Sequence, residues 1–374
     1  MPANSKNIYN IDLHIHSPYS AAVSKNMSIP LLATEAKKKG LDIIVTADIL
    51  HPKWLTHVKD NLILDSSNCF VYKDDLNSKL KTYFILGVEV EVKFRVHHLL
   101  YFRDFEQVES FRKKIEKYSS DINKYGGGRP RLSIDSKELL DLAIEENIII
   151  GPAHAFTPYF GIYAHYNSLR QAYGENYKYV KFIELGLSAD SALANKIPDL
   201  SEIKFFCFSD SHSAASYRIG REYIKAKLEK PNFDSLKNLL EASNSKENYI
   251  IENIGYNPLE GKYNQSACSS CHQLYTLDQA NNFNWKCALC KKSIKKGVSD
   301  RIKEVAIFQG NCENIDINKN RPPYIYLMPL LQVIQLALKQ KNALHKSVLE
   351  KYELFIKNYS EIEIMQRLDK QTLD

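Results

Sequence analysis

Histidine and carboxylate side chains recur between Asp12 and His212 at spacings that suit metal binding. The first group is Asp12-Leu13-His14-Ile15-His16, directly behind a short apolar run. Alternate side chains of an extended backbone share one face, so Asp12, His14 and His16 point one way, away from a core. Two imidazoles at a strand end could hold a metal ion, although a His-x-His pair on its own is more often not a ligand pair.

Later predicted strands add donors of the same kind. Glu89 and Glu91 share one face of the apolar run Tyr83 to Val92, and a buried carboxylate needs a partner. His97 and His98 lie in the next predicted strand and must face opposite ways, so the pattern admits one of them as a ligand and does not say which.

Most of the remaining candidates stand at or just past the ends of other predicted strands. Imidazole with carboxylate and no thiolate suits zinc, manganese or iron in a hydrolytic role, and a carboxylate such as Glu89 could bridge two ions. The number of candidate donors is larger than the three or four ligands of one zinc ion, and we therefore expect two or three ions. Besides the His97 and His98 alternative, the candidates are His14, His16, Asp48, His51, Glu89, His154, Asp210 and His212.

Four of the seven cysteines form a second metal pattern. Cys268-x-x-Cys271 and Cys287-x-x-Cys290 are two knuckles that could present four thiolates to one structural zinc, which is favoured over four unconnected buried cysteines. A basic run accompanies the second knuckle, and solvated surface and phosphate contact are equally good interpretations of it. The lysines that are candidates for phosphate contact are Lys291, Lys292 and Lys295.

Two loops are unusual in composition. The stretch from Ala155 to Tyr166 is rich in aromatic residues with no clear period, which indicates either a small satellite core or walls for a stacked base. Its candidate substrate contacts are Phe156, Tyr159, Phe160 and Tyr163. The run Gly126-Gly127-Gly128-Arg129-Pro130-Arg131 lacks the features of a P-loop, and a mobile surface connection is favoured over a nucleic-acid contact.

Short apolar runs that alternate with amphipathic stretches must position these residues. Such alternation up to about residue 240 predicts β-α units around a parallel sheet or barrel, where the carboxyl ends of the strands converge on one face. The first helix is predicted from about Pro30, with Gly40 as its end. We therefore expect a catalytic domain at 1–245, a linker with the zinc module at 246–310, and a helical segment at 311–374.

Composition limits the classes of protein and partner. The net charge of +6 and a pI of about 8.7 are compatible with a nucleic-acid partner without requiring one. No stretch approaches the roughly 20 apolar residues of a membrane span, and the N-terminus lacks a signal-peptide core. A cytoplasmic protein with no membrane partner is expected.

Taken in order, these motifs resemble the PHP (polymerase and histidinol phosphatase) metallophosphoesterase superfamily. The resemblance rests on Asp12 to His16, Gly87-Val88-Glu89, His98, Pro152-Ala153-His154 and Ser209-Asp210-Ser211-His212. The finer pattern is similar to the endonuclease Q family, through His16-Ser17-Pro18-Tyr19-Ser20, Ser24-Lys25-Asn26-Met27, His51-Pro52-Lys53-Trp54 and Gly151 to Pro158, followed by a zinc module.

The resemblance implies a fold and an activity. The fold is an α/β protein with a distorted, TIM-like β/α PHP barrel, followed by the small zinc module and a helical C-terminal segment. The activity is that of a metal-dependent endodeoxyribonuclease that cuts DNA on the 5′ side of uracil, hypoxanthine or xanthine, or at abasic sites. The partner is then DNA that contains a deaminated base.

It also implies roles for the candidate residues. His98 becomes the chosen ligand of the pair, and Lys25 becomes a substrate contact. One ion is expected on His14, His16, Glu89 and Asp210, a second on Glu89, His98 and His154, and a possible third on Asp48 or His51 with His212. The catalytic residues are Asp210, His212 and Glu89. Zinc is the expected ion, with manganese or magnesium as alternatives.

Two rival functions use the same residues. A small-molecule phosphoesterase of the histidinol-phosphatase kind would use the same ions but leaves the zinc module and the basic run without a role. A DNA-binding protein without nuclease activity would need the near-complete set of donors to be structural.

Overall fold

The structure is a computed structural model that describes residues 7–241, 245–261, 263–313 and 315–366. The outermost residues of the predicted 1–245 and 311–374 segments lie outside these ranges. The strands are β1 (Ile8–Asp12), β2 (Ile43–Val45), β3 (Leu62–Leu64), β4 (Phe70–Tyr72), β5 (Tyr83–Glu91), β6 (His97–Phe102), β7 (Ile149–Pro152), β8 (Phe182–Glu184), β9 (Lys204–Phe206), β10 (Tyr223–Lys227), β11 (Tyr249–Gly255), β12 (Ala267–Cys268), β13 (Ile294–Lys295) and β14 (Tyr324–Tyr326).

Helices alternate with these strands over the first part of the chain. They are α1 (Ile29–Lys39), α2 (Pro52–Asn61), α3 (Phe105–Ile115), α4 (Ser136–Glu145), α5 (Leu169–Tyr173), α6 (Ser191–Ala194), α7 (Phe233–Glu241), α8 (Leu277–Asn282), α9 (Val298–Phe308), α10 (Leu330–Ala337), α11 (Lys346–Phe355) and α12 (Glu361–Gln366). Within the described part of the chain, no helix is long and apolar enough to cross a membrane.

The strands close into a distorted barrel. β1, β2 and β5 are parallel, while β6 runs antiparallel to β5 and to β7. The amide of Ala155 donates to the carbonyl of Glu184, which joins β7 to the parallel pair β8 and β9. The barrel closes where Ser211, past β9, pairs with Ile15, past β1. The predicted β/α barrel is confirmed, with β6 as an antiparallel insertion that distorts it.

Local sequence explains where α1 begins and ends. The Ser28 hydroxyl accepts from the amide of Leu31 at the helix start, and Gly40 ends the helix in the left-handed region with φ 93°. The apolar stripe of Leu32, Ala33 and Ala36 is fully buried against the barrel. The prediction that Gly40 ends this helix is therefore confirmed.

The main sheet extends beyond the barrel into the segment we predicted to be a linker. β10 pairs antiparallel with β1, β11 pairs antiparallel with β10, and β14 pairs parallel with β11. The Asn- and Ser-rich flanks of β11 concealed it, yet its Ile254 is completely buried. The stretch 249–255 is thus a strand, and β14 adds a further strand to the segment that we predicted to be helical.

Two smaller cores lie beside the barrel. The zinc module packs Tyr275, Ala280 and Ile294 around the cysteines, whereas the following helix α9 sends Val298, Ile302 and Val305 into the barrel core. The C-terminal helices α10, α11 and α12 form the other core, which includes Leu331, Ile334 and Tyr352. Each core is small, so both depend on contacts with the barrel or on metal.

Candidate metal centre

The barrel brings most of the predicted donors to one end. His14 and His16 follow β1, His154 follows β7, and Asp210 and His212 follow β9, while Glu89 projects from within the long β5. His154 and Asp210 adopt left-handed backbone conformations, with φ 28° and 46°. Residues other than glycine hold such conformations where the surrounding structure requires them, which is common at functional sites.

His14, His16, Glu89 and Asp210 form the central group. The Nε2 atom of His14 lies 3.6 Å from Glu89 Oε1 and 3.6 Å from Asp210 Oδ1, and the Nε2 atom of His16 lies 3.5 Å from Glu89 Oε2. Two ligands at roughly 2.1 Å from one tetrahedral ion lie about 3.4 Å apart. His14 Nε2 is buried and has no hydrogen-bond partner. The spacing and the unpaired nitrogen both suit a metal ion.

A second group surrounds the other side of Glu89. The Nδ1 atom of His97 lies 2.8 Å and the Nε2 atom of His154 lies 2.9 Å from Glu89 Oε1, and the two nitrogens are 3.3 Å apart. All three residues are buried. Glu89 therefore belongs to both groups, as a bridging carboxylate would.

The choice of His98 as a ligand is wrong. In the β5–β6 hairpin His97 pairs with Glu91 and shares its face with Glu89, whereas His98 pairs with Val90 and faces the opposite side. Its Nε2 atom lies 2.9 Å from the hydroxyl of Tyr173 in a fully buried position. Burial, reinforced by the charge of His97, lowers the pKa of His98 to about 3. His98 is a neutral core residue, and His97 takes its place in the cluster.

The third expected group also differs from the prediction. His212 Nε2 lies 3.5 Å from Asp210 Oδ1, and His16, Asp210 and His212 gather as one set of donors. Asp48 is not in this set, because its Oδ2 accepts hydrogen bonds from the Ser17 amide at 2.7 Å and the Ser17 hydroxyl at 2.6 Å. Its Oδ1 faces His16 Nδ1 at 3.5 Å, so Asp48 orients the His16 ring.

His51 lies outside the three groups of donors. Its ring is buried and stacks on Tyr19 with ring centroids 4.1 Å apart. Asp12, which we expected to share a face with His14, is also turned away from the donors. Its carboxylate accepts from the amides of Ser209 and Gly220 at 3.1 and 2.8 Å, and so ties the end of β9 to β1.

Two residues of the site were not among the predicted ones. Glu184 accepts from His14 Nδ1 at 2.9 Å and from the His154 amide at 2.7 Å, so it fixes the tautomer of His14 and directs Nε2 to the cluster. Arg129 donates from Nη1 to Glu89 Oε2 at 3.1 Å. A buried acid at a predicted strand end could have indicated Glu184, whereas no local signal indicated Arg129.

The triple-glycine loop is therefore part of the site, and its interpretation as a mobile connection is wrong. Gly127 and Gly128 are buried, and a Cβ atom on Gly128 would lie 2.5 Å from Asp48 Oδ2. Glycine is needed here for close packing, and the packing places Arg129 beside Glu89.

Charge in the cluster is tightly coupled. Burial alone would raise the pKa of Glu89, but His97, Arg129 and His14 outweigh it and hold the pKa well below its usual value. Burial would likewise lower the pKa of His14, but the carboxylates of Glu184, Asp210 and Glu89 hold the pKa well above its usual value. The donor set suits divalent cations, because anionic oxygens and imidazoles converge with few cations of the chain itself.

A cavity of about 580 Å³ opens beside the cluster. Phe160 is the one predicted aromatic contact that lines it, and its ring centroid lies 4.8 Å from that of His97. Tyr159 is exposed on the surface, while Phe156 and Tyr163 stack in the core with centroids 5.2 Å apart. The assignment of Phe156 and Tyr163 to substrate contact is wrong, since both are fully covered. Other lining residues include Arg129, Arg221, Tyr256, Tyr263 and Gln332.

The four cysteines meet as the spacing predicts. Sγ of Cys268 lies 3.3 Å from that of Cys290, and Sγ of Cys271 lies 3.5 Å from that of Cys287. Thiolates at roughly 2.3 Å from one tetrahedral zinc lie about 3.8 Å apart, so the group fits that ion. The amide of Cys290 and the hydroxyl of Tyr275 donate to Cys287 Sγ and lower the pKa of this thiol to about 6.

The predicted lysine contacts are exposed. Lys291 and Lys292 lie on the zinc module, and Lys295 places its Nζ 5.5 Å from the ring centroid of Tyr159, next to the cavity wall. Lys25 is exposed and follows Ser24, whose amide donates to the carbonyl of His212. Arg301, further along the same basic run, is instead partly buried and donates to the carbonyls of Tyr163 and Tyr166.

Solved structures of known proteins are similar to this chain over nearly its whole length. No protein-family model matches. Among solved structures, the lesion-specific endonuclease PfuEndoQ of Pyrococcus furiosus is similar with a TM-score of 0.88 and 38% identity, covering 98% of this chain and 87% of that one. Endonuclease Q in complex with a 27-mer duplex carrying an abasic lesion at its active site has a TM-score of 0.86 and 38% identity, covering 98% and 88%.

Two curated relatives have no assigned function. Uncharacterized protein MJ0043 of Methanocaldococcus jannaschii is 38% identical over 228 residues, which is 59% of this chain but only 27% of that protein. Uncharacterized protein YqxK of Bacillus subtilis is 26% identical over 359 residues, covering 91% of this chain and 87% of that protein. The identity and near-complete coverage shared with the solved structures decide the family: this chain belongs to the endonuclease Q family.

Proposed function

We propose that the protein is a metal-dependent DNA repair endonuclease that cuts the phosphodiester bond on the 5′ side of a damaged nucleotide. The observation that carries this proposal is the imidazole and carboxylate cluster beside a nucleotide-sized cavity, in a chain that matches a DNA-bound endonuclease Q along its length. The substrates we propose are DNA duplexes with uracil, hypoxanthine, xanthine or an abasic site.

Three groups of residues would hold the catalytic ions. His14, His16, Glu89 and Asp210 form the central one, Glu89, His97 and His154 the second, and His212 with His16 and Asp210 the third. Zinc is the ion we propose, with manganese or magnesium as alternatives, and the four cysteines would hold one structural zinc. Divalent ions bound in such groups lower the pKa of a water and stabilise the leaving oxygen in phosphodiester hydrolysis.

The chain's own residues position the backbone of the substrate. Arg129 and Arg221 both line the cavity, and guanidinium groups match the geometry of a phosphate. Arg221 also donates from Nε to the carbonyl of Ser209 at 2.7 Å, which holds the strained turn that presents Asp210. Asp210, His212 and Glu89 remain our proposed catalytic residues, because Glu89 is shared by two of the groups and Asp210 and His212 belong to the third, which shares His16 with the first.

The cavity would hold the nucleotide after it leaves the helix. Its volume of about 580 Å³ falls within the range of small-molecule pockets, which runs from roughly 300 to 1,000 Å³. Phe160 offers an apolar wall on which a base could stack, and Gln332 offers amide groups to a base edge. Extrusion costs roughly a few kcal/mol and least for mispaired bases, which favours deaminated sites.

The zinc module would grip the flanking duplex. Lys291, Lys292 and Lys295 are exposed, and the Lys295 contact with Tyr159 joins this basic surface to the loop that lines the cavity. A small-molecule phosphoesterase would leave this surface unused, and a purely DNA-binding protein would leave the cluster unused.

The test is cleavage of end-labelled duplexes that carry a single uracil, hypoxanthine or abasic site. Wild-type protein with zinc, manganese or magnesium should nick on the 5′ side of the lesion and leave an undamaged duplex intact. Asp210→Asn should abolish nicking and retain DNA binding, while Asp234→Asn, an exposed acid on α7, should behave as wild type. Full nicking by Asp210→Asn would refute the assignment of the site, and phosphate release from phosphomonoesters alone would favour the rival phosphoesterase.

A further inference from the structure

The hairpin between β5 and β6 has a strained tip. The amide of Val92 donates to the carbonyl of Val96, which leaves Lys93, Phe94 and Arg95 as the connection. Phe94 and Arg95 are both in the left-handed region, with φ 62° and 64°. Hairpin connections place glycine, asparagine or aspartate at such positions, because a Cβ atom is unfavourable there. A bulky aromatic residue and an arginine at these two positions cost stability.

The side chain of Phe94 gives little packing in return. It is 63% exposed, although phenylalanine is among the residues most often buried. Its ring lies beside two other rings, with centroids 6.0 Å from that of His165 and 6.4 Å from that of Tyr166. Neither the backbone strain nor the exposed apolar ring stabilises the folded protein. Together they indicate that Phe94 contacts a binding partner.

The tip lies at the rim of the catalytic cavity. The guanidinium carbon of Arg95 lies 4.5 Å from the ring centroid of Phe160, which lines the cavity. The amide of His97 donates to the carbonyl of Phe160 at 3.0 Å, and His97 itself belongs to the donor cluster. The same short hairpin thus carries a donor of the cluster at its base and an exposed aromatic ring at its tip.

We infer that Phe94 is an apolar wedge that enters the DNA base stack where the damaged nucleotide leaves it. Its ring would stack on the neighbouring base and keep the gap from closing, while Arg95 at the tip would face the adjacent phosphate. This inference rests on the proposed function, because it assigns to Phe94 the extrusion step that precedes cutting. It makes Phe94 a positioning residue that touches DNA next to the lesion and does not touch the reacting phosphorus.

The experiment compares a paired with an unpaired lesion. Phe94→Ala should slow single-turnover nicking at uracil in a duplex by about fivefold or more, since loss of one aromatic stacking contact is worth at least that factor. The same variant should nick uracil within a three-nucleotide bubble at nearly the wild-type rate, because the bubble is already unstacked. Phe94→Trp should retain activity on both, and Leu80→Ala, an exposed apolar residue on another surface, should change neither.

Fluorescence of 2-aminopurine next to the uracil reports unstacking without any cleavage. In the Asp210→Asn background the signal should rise on binding, and the added Phe94→Ala change should reduce that rise. Phe94→Gly should raise the melting temperature while it lowers duplex nicking, because glycine relieves the left-handed strain.

The outcomes separate the two proposals. If wild-type protein nicks lesion duplexes and Phe94→Ala nicks paired and bubble uracil equally well, the wedge is refuted and the proposed function stands. An equal loss on both substrates would refute the wedge as well, since it would place Phe94 in a general binding role. If wild-type protein nicks neither substrate, the proposed function fails and the wedge fails with it.

Discussion

His97 and His98 stand next to each other in β6 and meet opposite environments. His97 contacts Glu89 and His154 in the cluster, whereas His98 is buried against Tyr173. Replacing His97 with alanine should remove metal from the second group and reduce nicking at least about 100-fold, because a lost ligand costs more than a lost orienting partner. Metal content by mass spectrometry and single-turnover nicking measure the two effects.

His98→Ala is the matched control for that change. It creates a core cavity and leaves the Tyr173 hydroxyl without its partner, so it should cost about 2–4 kcal/mol of unfolding free energy. Its metal content and its nicking rate at low temperature should remain close to wild type. Loss of metal from His98→Ala with full metal in His97→Ala would reverse the assignment.

The sequence could have distinguished His97 from His98 if the register of the hairpin had been considered in addition to the alternation of side chains. Once a hairpin is centred on Phe94, Glu91 must face His97 and the face shared with Glu89 follows, so the register could have identified His97. Arg129 offered no such signal, because its partner Glu89 lies far away in sequence and a glycine run suggested mobility. Phe156 and Tyr163 show the same limit: composition indicated an aromatic loop but not which rings it buries.

Three strands of the extended sheet meet at one buried carboxyl group. Glu222, directly before β10, is completely buried, and its Oε1 accepts from the amide of Tyr256 at 3.0 Å and the hydroxyl of Tyr324 at 3.3 Å. Burial raises the pKa of Glu222 to about 8 from its usual value near 4.5. Glu222 therefore joins β10 to the end of β11 and to β14 while it is neutral.

This raised pKa predicts how stability depends on pH. Between about pH 4.5 and 8 the folded state binds a proton that the unfolded state has lost, so this group makes stability fall as pH rises and the loss is complete above about pH 8. Glu222→Gln keeps the accepting oxygen and removes the titration. The free energy of unfolding of the variant minus that of wild type, measured by denaturant unfolding, should therefore grow from pH 5 to pH 9, up to a limit of about 5 kcal/mol.

Glu247→Gln, an exposed change near β11, is the control and should show no such trend. A difference that stays constant with pH would show that Glu222 does not titrate in this range.

Among the strands and helices, the barrel strands and α1 were predictable from apolar runs and capping residues. The strands β11 and β14 were not, because Asn- and Ser-rich flanks concealed β11, and β14 is an edge strand of three residues that carries little periodic signal.

The smaller parts of the molecule are fastened to the barrel by buried polar contacts. Arg301, at the start of α9, donates to the carbonyls of Tyr163 and Tyr166, which attaches the segment after the zinc module to the aromatic loop. Lys39 of α1 and Glu361 of α12 form a buried ion pair with a distance of 2.7 Å. The sequence predicted these parts but not their attachment, since long-range ion pairs and carbonyl contacts leave no local pattern.

Because α9 packs on the barrel core, the zinc site can be removed without disturbing the metal cluster of the barrel. Replacing Cys287 and Cys290 with serine should release one zinc per chain and unfold the zinc module, because its core is too small to fold without the ion. The barrel cluster should keep its metal, since Arg301 and α9 stay packed on the barrel core. DNA affinity at physiological salt should fall about tenfold or more, and its dependence on salt should weaken, as the exposed lysines of the module lose their position.

Fluorescence anisotropy across a salt series, together with metal analysis, measures these changes, and Cys312→Ser, an exposed cysteine outside the module, is the control. Nicking at saturating protein should persist in the double variant, because the role we propose for the module is DNA binding and not cutting. Unchanged affinity would show that the module does not contribute to DNA binding. Loss of nicking at saturation with the barrel metal intact would instead show that the module helps to form the catalytic cavity, which is lined in part by Tyr263 just before the module.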